Sequence, residues 1–600
     1  MKSKKLMLLL ITVSVIAMVS TGLYGGFQTV SAPNSVPATT SSSPTGTIYI
    51  SPGPSAAFTQ NFNPFNVWTP PSGIMSLFYE PLLQINTYNG TVTPWLATNY
   101  TWEHNNTQLV LQLRHNVEFS NGMAFNSSDV LYMFNEEKTL FGDWGNIANI
   151  SAVGPYTVNF NFSKEDTQCL FYIGSTFMVP AQLWQGIKNP QDKVVTDPIG
   201  TGPYTLTSFS GQKIVLTANP HYWQPDEPHI KHVVYIDYTS NSALTLALED
   251  GQVQWASAFE PNITTLLTSK NPNAHYWFPP GQPVTLITND NVYPLNQSFF
   301  RQAISLSINR KEICQVGEYG YERPANAADI LSQQLFYLNS TNKARANELS
   351  EFNTTAALAL LGEHGYKMTG GRLYEPNGTV LPAINLISVA GYTDWDTDIS
   401  IIASDLKEVG IKVTIQTPTL SSVDSDVAEG HFQMAEVTVT GIGPNPWYDY
   451  SGLVGKIIPT GTTAYNNEER WNDTGTGFQT YFNMFPKVAN ISEQDKLLND
   501  MAGIVLNQMP VIPLVYSADW YEYVNSSIKG FPDQNNPYGI PMPWYPGPME
   551  LVMLHLYYSG TPPNHNNALK DYEIAGGIIA AIAVIGSLAL YTRKRRREKD

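Results

Sequence analysis

Charge is scarce in this 600-residue chain, with 14% of residues charged, and the basic ones crowd at the ends. Three of the first five residues are Lys, and residues 593–599 hold six Lys or Arg; without these, and without Glu598 and Asp600, 24 basic side chains face 48 acidic ones. A surface so poor in Lys and Arg repels phosphate backbones, which excludes nucleic acid as a main partner. Cysteine is nearly absent. Cys169 and Cys314 lack the CxxC spacing of metal and dithiol sites, and leave two readings, one disulfide or two buried thiols. HExxH, G-x-S-x-G and any Cys-His arrangement are missing, and the ten His are scattered. His229 and His232 follow Pro228 and precede the apolar VVYI, the pattern of a strand edge rather than a metal site. No catalytic residue, metal or cofactor is expected. Internal repeats and long sandwich periodicity are also lacking, which argues against a repetitive surface-layer protein.

What the chain has in quantity is apolar and aromatic material, 42% and 12% of residues. That is enough for large buried cores, in a chain too long for one domain. Lys2, Lys4 and Lys5 precede an apolar run over residues 6–19, the pattern of a secretory signal, placed at 1–30. Residues 31–46 are Ser, Thr, Pro and Ala with almost nothing to bury, and read as a spacer. Near the other end, residues 574–591 are 18 consecutive uncharged, mostly apolar residues, about 27 Å as a helix and long enough to span a bilayer. A polar linker, 559–573, precedes this run and a basic tail, 592–600, follows it. The positive-inside rule then puts the tail in the cytoplasm and the rest outside. Fourteen N-x-Ser/Thr sites, more than composition alone yields, agree with a glycosylated exterior.

Between the ends the pattern mixes short strands with helices. Residues 109–113, 157–162 and 411–415 alternate apolar and polar side chains as half-exposed strands do. Four helices carry apolar stripes: 127–140 (Val130, Met133, Phe134), 300–308 (Phe300, Ala303, Ile304), 399–409, stopping at Gly410, and one capped by Ser492 with Leu497, Met501 and Val505, ended by Pro510. Such an α/β chain of several lobes suits a ligand cleft between domains.

The segment LVLQLRHNVEFSNGMAFNSSDVLYMF, 109–134, resembles a signature of the family 5 extracellular solute-binding proteins, the oligopeptide and dipeptide receptors of ABC importers. DPIGTGPYTL, 197–206, resembles the family's Gly-Thr-Gly-Pro-Tyr motif. FNPF (62–65), YEPLL (79–83), NPHYW (219–223), RQAISLSINRKEI (301–313), DLKEVGIKVTI (405–415) and MPVIPL (509–514) follow the family order. Gly200, Gly202, Arg114 and Arg301 within these motifs read as structural. The resemblance implies a periplasmic-binding-protein type II fold for residues 46–558: an α/β architecture of two lobes closing around a hinge, plus a third. Lobe I would take 46–80, 199–285 and 512–558, lobe II 81–198 and lobe III 286–511. It further implies a monomeric receptor that captures oligopeptides, or alternatively oligosaccharides, and hands them to ABC permease subunits with cytoplasmic ATPases.

Peptide receptors of this family use an Asp near a Pro-Asp-Pro to hold the ligand's ammonium group. The matching stretch here, TVTGIGPNPWYDY (438–450), has Asn445 between the prolines, so the usual anchor is missing, and Asp449 is the nearby substitute. The ligand-binding candidates are Trp447, Tyr448 and Asp449 with Tyr392 and Trp395 of GYTDWDTD. Stacked aromatics beside Asp suit sugar rings and peptide side chains alike, while core packing is the competing reading for each ring taken singly.

Overall fold

The computed structural model describes residues 45–560 apart from 55–56, 67–71, 88–89, 142–145, 439–440, 442, 455–457, 465, 489, 546 and 548. The described residues belong to one compact unit. The expected signal, nearly all of the spacer, most of the linker, the apolar run 574–591 and the basic tail lie outside them. Among the described residues no helix is long and apolar enough to cross a membrane.

Three main sheets organise the chain. The first has seven strands in the order Ala274–Tyr276, Glu522–Val524, Trp255–Ala256, Thr45–Ser51, Ile230–Ile236, Lys213–Ala218, Tyr204–Ser210. The second has four antiparallel strands in the order Ala97–Glu103, Gln108–Leu113, Thr157–Phe162, Ile147–Ala152. These two share a core containing Ile48, Phe62, Trp95, Leu111, Phe160 and Val233. The third has six strands in the order Arg323–Pro324, Val511–Ala518, Pro280–Thr288, Met434–Thr438, Ile384–Ile387, Val413–Gln416. Helices Ser298–Ser307, Thr393–Glu408 and Ile491–Gln508 supply its separate core with Ile304, Ile402 and Met501.

The chain passes between the first and third sheets twice, side by side. Residues 277–279 lead out of Ala274–Tyr276 into Pro280–Thr288, and 519–521 lead out of Val511–Ala518 into Glu522–Val524. The two passages are stitched together, Trp277 N donating to Tyr521 O at 3.0 Å and Asp519 N to Pro279 O at 2.9 Å.

The alternating segments form the expected strands, Gln108–Leu113 and Thr157–Phe162 burying every second residue. The third strand is shifted to Val413–Gln416. The helix expected at 399–409 begins earlier, at Thr393, with Asp394 and Asp396 in its first turn, where the helix dipole favours acids. It ends before Gly410, whose φ of +82° suits glycine; a Cβ there would sit 2.7 Å from the backbone nitrogen of Leu373. The last helix is capped by Asn490 rather than Ser492: the Asn490 side chain accepts from Glu493 N at 3.1 Å. Asn holds that role because its carbonyl reaches the third amide while its backbone stays extended.

The motif residues pack as structure. A Cβ on Gly200 would lie 2.0 Å from Phe78 O. Arg301 is buried against Asp290 (2.8 Å) and donates to Met509 O, Gln508 O and Leu295 O. Arg114 donates to Trp95 O and lies 4.2 Å over the Trp223 ring. Both cysteines are buried free thiols. His232 lies within Ile230–Ile236 beside Thr217, and His229 pairs with Glu227.

Candidate functional site

A cavity of about 870 Å³ opens where the double passage meets the third sheet. Its walls come from distant parts of the chain. Gly281, Gln282 and Val284 lie on one crossing strand, and Ser517, Asp519 and Trp520 lie on or after the other. Tyr392, Asp394 and Trp395 come from the start of helix Thr393–Glu408, and Asp424 and Val427 from helix Leu420–Glu429. Thr87 of the 83–94 hairpin and Trp544 and Tyr545 of the C-terminal segment complete the ring. A Cβ on Gly281 would meet Asp519 Oδ1 at 2.5 Å, so the Asp519 side chain would have to shift to admit one.

Acids dominate the polar lining: Glu322, Asp394, Asp424, Glu436, Glu468 and Asp519 all border the cavity, and no Lys, Arg or His does among the described residues. Glu436 lies in strand Met434–Thr438, opposite Leu286, and is wholly buried. Its Oε2 accepts from Ser388 Oγ at 2.8 Å, while Oε1 has no hydrogen-bond partner among the described residues. Glu322 is 9% exposed; Oε1 accepts from Ala518 N, and Oε2 is likewise unpartnered among the described residues. Behind them stand Asp398 and Glu318, also buried. Burial first, and then the charges of neighbouring acids, push the Glu436 and Glu322 carboxyls well above their ordinary range. Asp398 and Glu318 are raised for the same reasons. A buried carboxyl without a cation holds its proton because ionising it there costs several kcal/mol.

Of the five candidates read from the sequence, Tyr392 and Trp395 line this cavity, their rings 5.5 Å apart and nearly perpendicular. Trp447, Tyr448 and Asp449 lie outside its lining. One face of the Trp447 ring is taken by Phe482 at 4.6 Å, and its Nε1 donates to Phe482 O. Tyr448 is buried, and its hydroxyl donates to Gln168 O at 2.6 Å, tying this segment to the one that carries helix Cys169–Ser175. Asn445 joins the same clasp, donating from Nδ2 to Gln168 Oε1 at 2.9 Å and capping helix Pro446–Asp449. An Asp at 445 would lack that donor. Asp449 accepts from Leu331 N at 3.4 Å, and burial, followed by Asp329 nearby, raises its carboxyl.

The cavity acids went unread because Glu322 and Glu436 stand far apart in the sequence. One signal was available: Glu436 interrupts the apolar strand MAEVT, where a carboxyl needs a reason to be buried.

Comparison with known proteins agrees with this architecture. The profile of bacterial extracellular solute-binding proteins, family 5 (middle part), matches residues 91–457. The nickel-binding periplasmic protein of Escherichia coli is 26% identical over 398 residues, spanning 63% of this chain and 73% of the relative. The peptide transport periplasmic protein SapA of Haemophilus influenzae is 21% identical over 534 residues, 78% and 88% of the two chains. The crystal structure of a mannohexaose-bound periplasmic oligopeptide-binding protein of an ABC transporter from Thermotoga maritima superposes with a TM-score of 0.74 at 24% identity, covering 86% of this chain and 99% of the other. An α/β fold shared with periplasmic binding proteins, together with a family match over most of the folded chain, makes this protein a member of the family 5 extracellular solute-binding proteins, which are receptors and not enzymes.

Proposed function

We propose that this chain is the extracellular substrate-binding receptor of an ABC importer, that it captures oligopeptides, and that the apolar segment 574–591 anchors it to the membrane beside its permease. The observation that carries this reading is the cavity of about 870 Å³ bordered by both crossing strands, by the 83–94 hairpin and by the C-terminal segment. A ligand touching all of these favours the conformation in which they are close, and the ligand-free ensemble shifts by as much as that differential contact. In this reading the first sheet is lobe I and the four-stranded sheet lobe II, the third sheet centres lobe III, and the stitched passages at 277–279 and 519–521 are the hinge. The Tyr448–Gln168 clasp then joins lobes II and III at a distance from the ligand. The sequons and spacer fit a glycosylated exterior.

Oligosaccharide capture is the second reading, favoured by the aromatic side chains Tyr392, Trp395, Trp520 and Trp544 on the cavity wall and by the mannohexaose in the Thermotoga relative. Native mass spectrometry of the full chain extracted from membranes tests the proposal. An adduct of peptide mass, released unchanged on unfolding, is expected. A glycan adduct supports the second reading, and a ligand recovered in cleaved form contradicts the receptor role.

A further inference from the structure

The cavity presents a chemical demand that its own walls do not meet. Two glutamates at its border, Glu436 fully buried and Glu322 nine-tenths buried, each have one oxygen engaged, by Ser388 Oγ and Ala518 N respectively. The second oxygen of each, Glu436 Oε1 and Glu322 Oε2, has no partner among the described residues. Glu318 and Asp398 behind them also have unpartnered oxygens among the described residues, but of these four acids it is Glu436 and Glu322 that border the cavity, where a partner can arrive from outside. The lining offers them no cationic side chain.

We propose that this cavity selects solutes carrying a positively charged nitrogen, and that Glu436 and Glu322 receive that group. The proposal rests on the receptor reading above and narrows its ligand class. An ammonium supplies the N–H donors and the charge that such orphan oxygens lack. The rings nearby suit the same guest, since Tyr392, Trp395, Trp520 and Trp544 offer π faces that attract a cation. A metal ion fits less well: among the described residues no three His, Cys, Asp or Glu side chains converge tightly enough to hold one. The anchor also sits elsewhere than the position the sequence pattern suggests. The 438–450 segment that lost its Asp is engaged in the Asn445–Gln168 clasp, and the acids that replace it come from strand Met434–Thr438 and from the turn before strand Arg323–Pro324.

Calorimetry on the full chain in detergent micelles tests this with matched probes: trialanine and its N-acetylated form, cadaverine and the uncharged pentanediol, mannohexaose, and nickel ion. Each amine is expected to bind about tenfold tighter or more than its neutral analogue, because only the amine offers the buried carboxyls a charged partner with charge-assisted hydrogen bonds. Glu436→Gln and Glu322→Gln are each expected to erase most of that preference while leaving the thermal melting of the ligand-free protein in place. Equal binding of free and acetylated peptide, or mannohexaose binding more tightly than any amine, would overturn the cation proposal and leave the receptor reading standing. Nickel binding that depends on Glu436 would overturn it in favour of a metal. Binding of none of the probes would count against both readings.

Discussion

Glu80 and Glu436 are both fully buried glutamates, and they differ in what their oxygens meet. Around Glu80 the protein has built a complete set of donors. Trp95 Nε1 donates to it at 2.8 Å, Trp223 Nε1 reaches both oxygens at 2.9 and 3.0 Å, and the Tyr222 hydroxyl lies at 3.1 Å. Its neighbour Glu550 accepts from Gln84 Nε2 and shares a hydrogen bond with Glu80, so one of the two carboxyls keeps a proton. The cavity described above is not lined by this pair. Glu436 has a single serine and a vacant oxygen at a cavity border. The first arrangement is self-sufficient and fixes the packing of the first sheet's core. The second is incomplete without a guest, and that difference separates a structural acid from a binding one more reliably than burial does.

The comparison breaks most visibly at Glu80. Glu80→Ala leaves two indole donors unpaired and opens a void, and is expected to destabilise the protein by about 3–5 kcal/mol in denaturant unfolding. A loss below about 1 kcal/mol would mean the donor set is not structural. Glu436→Gln should behave oppositely: it removes an acid that is already protonated and lacks a full donor set, so stability should change by less than about 1 kcal/mol, or rise.

The pH dependence sharpens the same contrast. Glu436 faces Ser388 and the acids Glu318, Asp394 and Asp396, and Glu322 faces Ala518 N, Glu318, Asp394 and Glu436. Both hold their protons to higher pH in the folded chain than in the unfolded one. The folded state therefore binds more protons, and ligand-free stability falls as pH rises above about 4.5, by up to about 1.4 kcal/mol per unit for each group. The Glu322→Gln, Glu436→Gln double variant should lose stability less steeply than the wild type in urea melts between pH 5 and pH 8, windows set on about these values. Identical slopes would show that these carboxyls do not hold their protons. A small effect is also expected at the clasp. Tyr448→Phe removes one hydrogen bond, to Gln168 O, and should lower stability by about 0.5–1.5 kcal/mol and broaden the small-angle scattering ensemble. An unchanged profile in both would leave the clasp without a role.

Much of the fold was legible because it is written in local periodicity. The alternation at 157–162 and the stripe of Phe300, Ala303 and Ile304 each report one buried face, and each became the expected element. Boundaries depended on finer chemistry, as with the cap at Asn490. The sequons show a similar overlap. Asn126, Asn377 and Asn472 each accept from the backbone nitrogen of the Ser or Thr two positions on. Asn339, Asn353 and Asn490 cap helices. Asx turns and caps therefore account for part of the excess without any glycan. The candidate site was legible in part: Tyr392 and Trp395, noted as aromatics beside acids, line the cavity. Trp447 looked alike, but its partner Phe482 lies 35 positions away, a distance at which sequence pattern says nothing. Glu322 and Glu436 border one cavity through the strand order of the third sheet, and Asp519 through the passage that follows Val511–Ala518.

The central claim is that the cavity carboxyls are protonated when empty and ionise against a cationic guest. Calorimetric titration of cadaverine into the full chain at neutral pH, repeated in two buffers of different ionisation enthalpy, measures the protons released on binding. Release of about one proton in the wild type, reduced in Glu436→Gln, is the predicted result. Tight amine binding with no proton release, or release unchanged in that variant, would contradict the account.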